Sequence, residues 1–161
     1  MTTFYAQPYS LDHTGFYFES LEEFETGMDK LNTLGCEEVE IQFIDGDTHQ
    51  AALANAAGIN QANVALWFET LDDLDAHDVT RLVFLLERGF TLEDALSRYD
   101  EVCLYQGRAR DYAQDLIEET TQIPENLQYY IDYEAIARDM RLNGEIEEID
   151  SETLVTNACD F

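Results

Sequence analysis

The chain has 161 residues, 35 of them Asp or Glu against 8 Lys or Arg, a formal net charge of −27. Small soluble domains usually carry a net charge of magnitude about 2 to 8, and an excess this large costs folding free energy through self-repulsion and argues against direct binding to nucleic acid or an anionic membrane. Leu, Ile, Val and Phe account for 42 of the 161 residues, which takes the chain out of the disordered class, and nine Tyr and nine Phe with two Pro point to an ordinary core under an extreme surface.

In chain order, residues 3–7 and 16–18 read as short aromatic strands around a turn at 12–15. Ser20 followed by Glu23 is a capping box, and Phe24, Met28 and Leu31 form the apolar stripe of a helix that ends at Gly35. Residues 38–43 alternate with period two, so Val39, Ile41 and Phe43 face a core while Glu38, Glu40 and Gln42 face water. Asn60 is placed to cap a helix carrying Val64, Trp67, Leu71 and Leu74. Asp75 is placed to cap the next, in which Val79, Leu82, Val83, Leu85 and Leu86 run to Gly89. Thr91 with Asp94 opens a third helix through Leu92, Ala95, Leu96 and Tyr99. Residues 101–105 read as a strand, and 108–120 as a helix with Ala109, Tyr112, Ala113, Leu116 and Ile117 inward. Pro124 suits the first turn of another helix. Asp132 caps a further helix with Ile136 and Met140 inside, closing at Asn143-Gly144, and residues 145–149 resemble an edge strand. The expected fold is α+β: strands plus a helix in an N-terminal lobe at 1–58, a helical lobe at 59–100, and a mixed α/β lobe at 101–161.

Few residues are arranged for catalysis. Cys36, Cys103 and Cys159 are far apart and in no CxxC pair, so neither a disulfide framework nor a zinc knuckle is indicated, and a reducing cytoplasm is the expected compartment. Residues 1–10 lack a basic segment followed by an apolar one, and no apolar run reaches 18 residues, so neither export nor membrane insertion is expected. The acidic segment 72–78 lacks the glycine and the glutamate that a calcium loop needs at positions six and twelve, and Asp45-Gly46-Asp47 has Ala56 at its twelfth place. His13, His49 and His77 stand in no HxxxH or HExxH spacing, and no GxSxG, GxGxxG or Walker loop occurs. Helix caps and solvated surface explain these fragments, and no catalytic residue, metal or cofactor is expected.

The acids carry a stronger signal through their placement. Asp111, Asp115, Glu118 and Glu119 fall at i, i+4, i+7 and i+8 on one helix, and like charges at i, i+4 destabilise a helix by about 0.2–0.5 kcal/mol per pair. Glu22, Glu25 and Asp29 repeat the pattern on the first helix, with Lys30 the only nearby base. A halophile would scatter acids without pattern, whereas a surface directed at a partner keeps them in rows despite the cost. The candidate partner-binding surface comprises these seven with Glu38, Glu40, Asp72, Asp73, Asp132, Glu134, Asp139, Glu147 and Glu148. Duplex DNA carries one charge per about 1.7 Å of axis, so 27 charges match the phosphates of about 13 base pairs. The apolar run Leu82, Val83, Phe84, Leu85 and Leu86 is wider than one helix face needs and is either the centre of a core or a subunit contact; we expect it to form the interface of a homodimer.

The last third resembles the ArdA antirestriction proteins of plasmids, phages and conjugative transposons. The resemblance lies in Tyr112-Ala113-Gln114-Asp115-Leu116-Ile117-Glu118-Glu119, in Ile123-Pro124-Glu125-Asn126-Leu127, and in the run from Tyr130-Ile131-Asp132-Tyr133-Glu134 to Ala137-Arg138-Asp139-Met140. Weaker similarity covers residues 79–96, where the family has its antirestriction segment, and Tyr17-Phe18-Glu19-Ser20. The resemblance implies an elongated α+β protein of small lobes that dimerises through the central one, imitates bent duplex DNA and occupies the DNA groove of type I restriction-modification enzymes, with no catalysis and no cofactor. Two other classes share some of these features. An acidic module could sequester another basic DNA-binding protein, and a hydrolase could use carboxylates buried in a pocket.

Overall fold

Alternating apolar side chains build the first sheet of the computed structural model, which describes residues 2–161. In β1 (Thr3–Pro8), Phe4, Ala6 and Pro8 are buried while Thr3, Tyr5 and Gln7 are half-buried. β1 lies between β2 (Phe16–Phe18) and β3 (Val39–Asp45), antiparallel to both. Phe4 stands opposite Phe18 on one side and Phe43 on the other, and its ring meets those of Phe18, Phe43, Trp67 and Phe68 at centroid distances of 5.2–6.0 Å. That aromatic cluster is the core of the first compact unit, Met1–Leu96.

Helix α1 (Leu21–Thr33) starts where expected, with Ser20 Oγ accepting from the Glu23 N–H at 3.3 Å. The reciprocal half of the box is shifted by one residue, since Glu23 accepts from the N–H of Glu19 at 2.8 Å. Phe24, Met28 and Leu31 are buried, as the stripe requires. Gly27 is required for a different reason. A Cβ there would lie 2.2 Å from the Phe16 ring, so only glycine lets the helix approach β2 this closely.

Two helical expectations in this unit need correction. Helix α2 (Thr48–Ala57) was not foreseen, although Asp47 and Gln50 form a full capping box and Gly58 closes it at φ +57°. Only Leu53 and Ala54 are buried along it, so its alanine-rich sequence carries no apolar stripe to reveal it. The single helix expected from Asn60 to Leu74 is instead α3 (Val64–Glu69) followed by a 3-10 turn at Leu71–Asp73. The chain leaves helical geometry at Thr70, yet Val64, Trp67 and Leu71 all stay buried, because the turn returns Leu71 to the core. Helix α4 (Ala76–Glu87) begins at its Asp75 cap, which accepts the N–H groups of His77 and Asp78 at 2.9 Å, and Gly89 at φ +89° follows its end. Helix α5 (Leu92–Arg98) follows, opened by Thr91 and Asp94, whose backbone N–H donates to Thr91 Oγ1 at 3.1 Å. Within this unit Phe4 packs on Trp67 and α2 packs on α4.

The second unit, Ser97–Phe161, joins a small antiparallel sheet to two helices. Its strands are β4 (Leu104–Gln106), β5 (Glu147–Glu148) and β6 (Thr153–Val155), with β6 in the middle. β5 lies at the edge, as expected, while β6, three residues long, is too short to show a period in the sequence. The strand expected over 101–105 starts only at Leu104, because Tyr99–Glu101 winds into a 3-10 turn clasped by Arg98 and Glu101 at 2.9 Å. Helices α6 (Ala109–Thr120) and α7 (Tyr133–Leu142) meet through Ala109, Ala113 and Ala137, whose small side chains bring the backbones together over Met140, Ile146 and Leu154. Pro124 opens no α-helix. The Leu127 N–H donates to the Pro124 carbonyl at 2.8 Å, and a 3-10 turn at Gln128–Tyr130 fills the short span before the Asp132 cap.

Candidate functional site: the carboxylate surface

All but three of the 35 Asp and Glu residues are exposed; Asp72, Asp78 and Asp111 are half-buried and none is buried. General acid–base chemistry at a carboxylate depends on burial or a close like charge to displace its pKa. This arrangement is a charged surface. Among the described residues no three His, Cys, Asp or Glu side chains gather as metal ligands would, and no helix is long and apolar enough to cross a membrane.

In the first unit, Glu22, Glu25 and Asp29 point into solvent from α1, and Glu38 and Glu40 do so at and before β3, where Glu40 is paired with Gln7. Asp73 is exposed as well. Asp72 serves the fold, since one of its oxygens accepts from Thr2 Oγ1 at 2.5 Å and from Gln50 Nε2 at 2.7 Å, pinning the entry to β1 and the start of α2. Asp75 is a cap with a depressed pKa, chiefly because the Asp78 N–H donates to it and next, after an opposing desolvation, because His77 does.

In the second unit, α6 brings Asp111, Asp115, Glu118 and Glu119 together on one stripe, as their spacing requires. Three of them have partners within the chain, and Asp111 takes the Arg110 guanidinium at 3.2 Å. Asp115 accepts the Tyr105 hydroxyl at 2.5 Å, and that hydrogen bond, with burial and the Asp115 and Asp111 charges, pushes the phenol up to about 12. Glu118 accepts from Gln114 Nε2 at 2.9 Å. Burial first, and the Glu118 charge second, raise the pKa of Tyr133. Asp132 caps α7 through the Ala135 N–H at 2.9 Å, and Glu147 and Glu148 lie exposed on the edge strand. Arg141 is clasped by Glu148 at 2.9 Å and reached by Glu134 at 4.0 Å, and Asp139 sits 3.6 Å from Arg138. Arg81, Arg98 and Arg110 likewise lie within 3.2 Å of a carboxylate.

Of the five consecutive apolar residues 82–86 in α4, Leu82, Phe84 and Leu85 are buried in the single chain and Val83 and Leu86 are half-buried; the Arg88 guanidinium lies over the Phe84 ring at 4.6 Å. Most of that run therefore serves the core. Leu127 and Tyr130, read in the sequence only within the segments that resemble ArdA proteins, and Tyr129, which that reading passed over, are exposed in the loop after α6. Adjacent tyrosines in a segment without periodicity were the only available sign.

A family profile described as antirestriction protein (ArdA) matches residues 5–154, through both units. The chain belongs to the ArdA antirestriction family. No individual curated protein matches it. Membership gives the chain its general function, antirestriction, and its general target, the restriction-modification enzymes. Of the three segments that resemble ArdA proteins, those in α6 and α7 carry the acidic stripe and the closely packed alanine contact of the second unit.

Proposed function

We propose that this ArdA-family protein inhibits type I restriction-modification enzymes by presenting carboxylates in place of DNA phosphates, occupying the groove in which those enzymes hold DNA. No catalysis and no cofactor take part, and the inhibitor acts in the cytoplasm of a cell carrying the mobile element that encodes it. The observation that supports this most directly is the exposure of nearly all 35 acids at the expense of chain stability. A groove built to neutralise phosphates with Lys and Arg gains by the same ion pairing with a carboxylate surface. Fourteen of the sixteen acids singled out above are exposed, Asp72 and Asp111 being half-buried, so the surface is redundant and no single member dominates.

The inhibitor works as a homodimer joined through α4. With Leu82, Phe84 and Leu85 buried within the chain, the contact is left to Val83 and Leu86 and the rim around them. Doubling the chain extends the imitation from about 13 to about 27 base pairs by charge, which suits an enzyme that reads a two-part site. The decisive measurement is competition between the protein and a labelled duplex for a purified type I methyltransferase core. Displacement of the duplex is expected; saturating protein that leaves the duplex bound overturns the proposal.

A further inference from the structure

Three large side chains stand in solvent in the loop after α6: Tyr129 is 92% exposed, Tyr130 83% and Leu127 49%. The fold gains nothing from rings at these places, because the loop is closed by backbone bonds, from the Leu127 N–H to Pro124 and from the Tyr130 N–H to Leu127. Tyrosine exposed in this way is characteristic of contact centres, where it supplies area with little conformational entropy to lose.

Tyr129 also forms one wall of an open cleft of about 630 Å³ whose other walls include Glu118 and Tyr133. Gln114 holds one Glu118 oxygen at 2.9 Å, which fixes the carboxylate at the edge of the cleft. Arg110 also borders this space and makes its own ion pair with Asp111 at 3.2 Å.

We propose that this cleft receives an arginine side chain of a basic partner protein, with Glu118 supplying the charge and the Tyr129 ring the stacking face. The inference deepens the reading of the acidic surface given above and rests on it for the partner's basic character. A carboxylate alone favours Arg over Lys only through the two-point fit of its fork, which water weakens at an exposed surface. A ring beside a carboxylate does distinguish them, because a guanidinium is planar and weakly hydrated and stacks while it donates, whereas an ammonium is compact and holds its water. Ring contact is also less screened than an exposed ion pair, so the loop holds the partner at salt concentrations that loosen the remaining contacts.

The test uses fluorescent octa-arginine and octa-lysine with the full-length protein at about 0.15 M salt. The wild type binds octa-arginine about two- to fivefold more tightly. Tyr129→Leu abolishes that preference, Tyr129→Phe keeps it, and Glu118→Gln weakens both peptides. Tyr129 is almost fully exposed, so the fold tolerates these changes, and circular dichroism checks it. Equal affinity of the wild type for the two peptides, or a preference unchanged in Tyr129→Leu, overturns the inference. So does a shift of the protein from dimer to monomer on Tyr129→Leu, which would assign the loop to a second copy. A peptide preference with no displacement of duplex from the methyltransferase core leaves the arginine cleft standing and removes the proposed enzyme target. Displacement without preference does the reverse.

Discussion

Asp115 shows how one residue serves both fold and surface. Its carboxylate is exposed on the α6 stripe, yet it holds the Tyr105 hydroxyl and ties α6 to β4. Because the folded phenol lies near 12, above its ordinary value of about 10, its contribution to stability is complete below about 10 and is lost as pH rises through about 12. Asp115→Asn should move the Tyr105 titration back toward 10, read by ultraviolet absorbance of the phenolate. In the first unit, Phe4→Ala empties the centre of the aromatic cluster and should cost about 3–5 kcal/mol in urea unfolding. Gly27→Ala tests the close approach of α1 to β2. Alanine in an ordinary helix interior gains about 1 kcal/mol over glycine, but here the new methyl meets the Phe16 ring, and a lowered melting temperature is expected.

At the scale of an element, α6 keeps an unfavourable charge pattern on a helix that otherwise packs well. Removing one repulsive pair by Glu119→Gln should stabilise the protein by about 0.2–0.5 kcal/mol and leave inhibition of the target enzyme nearly unchanged, since one screened contact among many is worth little. Neutralising Asp111, Asp115, Glu118 and Glu119 together should weaken inhibition clearly. Chemical denaturation and a restriction assay on the same two variants measure both halves, and full loss of inhibition from Glu119→Gln in a folded protein would contradict a redundant surface. Helix α4 offers the parallel case. Burial of Leu82, Phe84 and Leu85 means that substitutions there unfold the chain before they report on assembly, so Leu86→Glu is the informative change, and it should convert a dimer to a monomer in sedimentation.

For the whole molecule, a charge of −27 links stability and binding to salt in opposite directions. Added salt screens self-repulsion and should raise the melting temperature, while it weakens association with a basic groove. The slope of log affinity against log salt should be shallower than that of duplex DNA for the same enzyme, because a carboxylate surface has no condensed counterion layer to release. An affinity that stays flat from low to moderate salt would remove ion pairing as the basis of inhibition.

Charge, caps and long periodic helices were legible without any structure. Ser20, Thr91 and Asp132 act as caps locally, and the α1, α4, α6 and α7 stripes repeat often enough to be read, as does the strand alternation at Val39, Ile41 and Phe43. The exposure of the acids followed from the same reasoning, because unpaired carboxylates are too costly to bury. Tertiary structure decided what depends on distant partners. Alanine-rich α2 is held by its neighbours, β6 exists only because β4 and β5 flank it, and the break at Thr70 serves the burial of Leu71. It also sorted residues of like appearance into different roles. Asp72 is bound by Thr2 and Gln50, far from it in sequence, whereas Asp73 faces solvent, and Leu85 is buried whereas Leu86 is half exposed. Such differences arise from contacts between segments remote in the chain, which local periodicity does not encode.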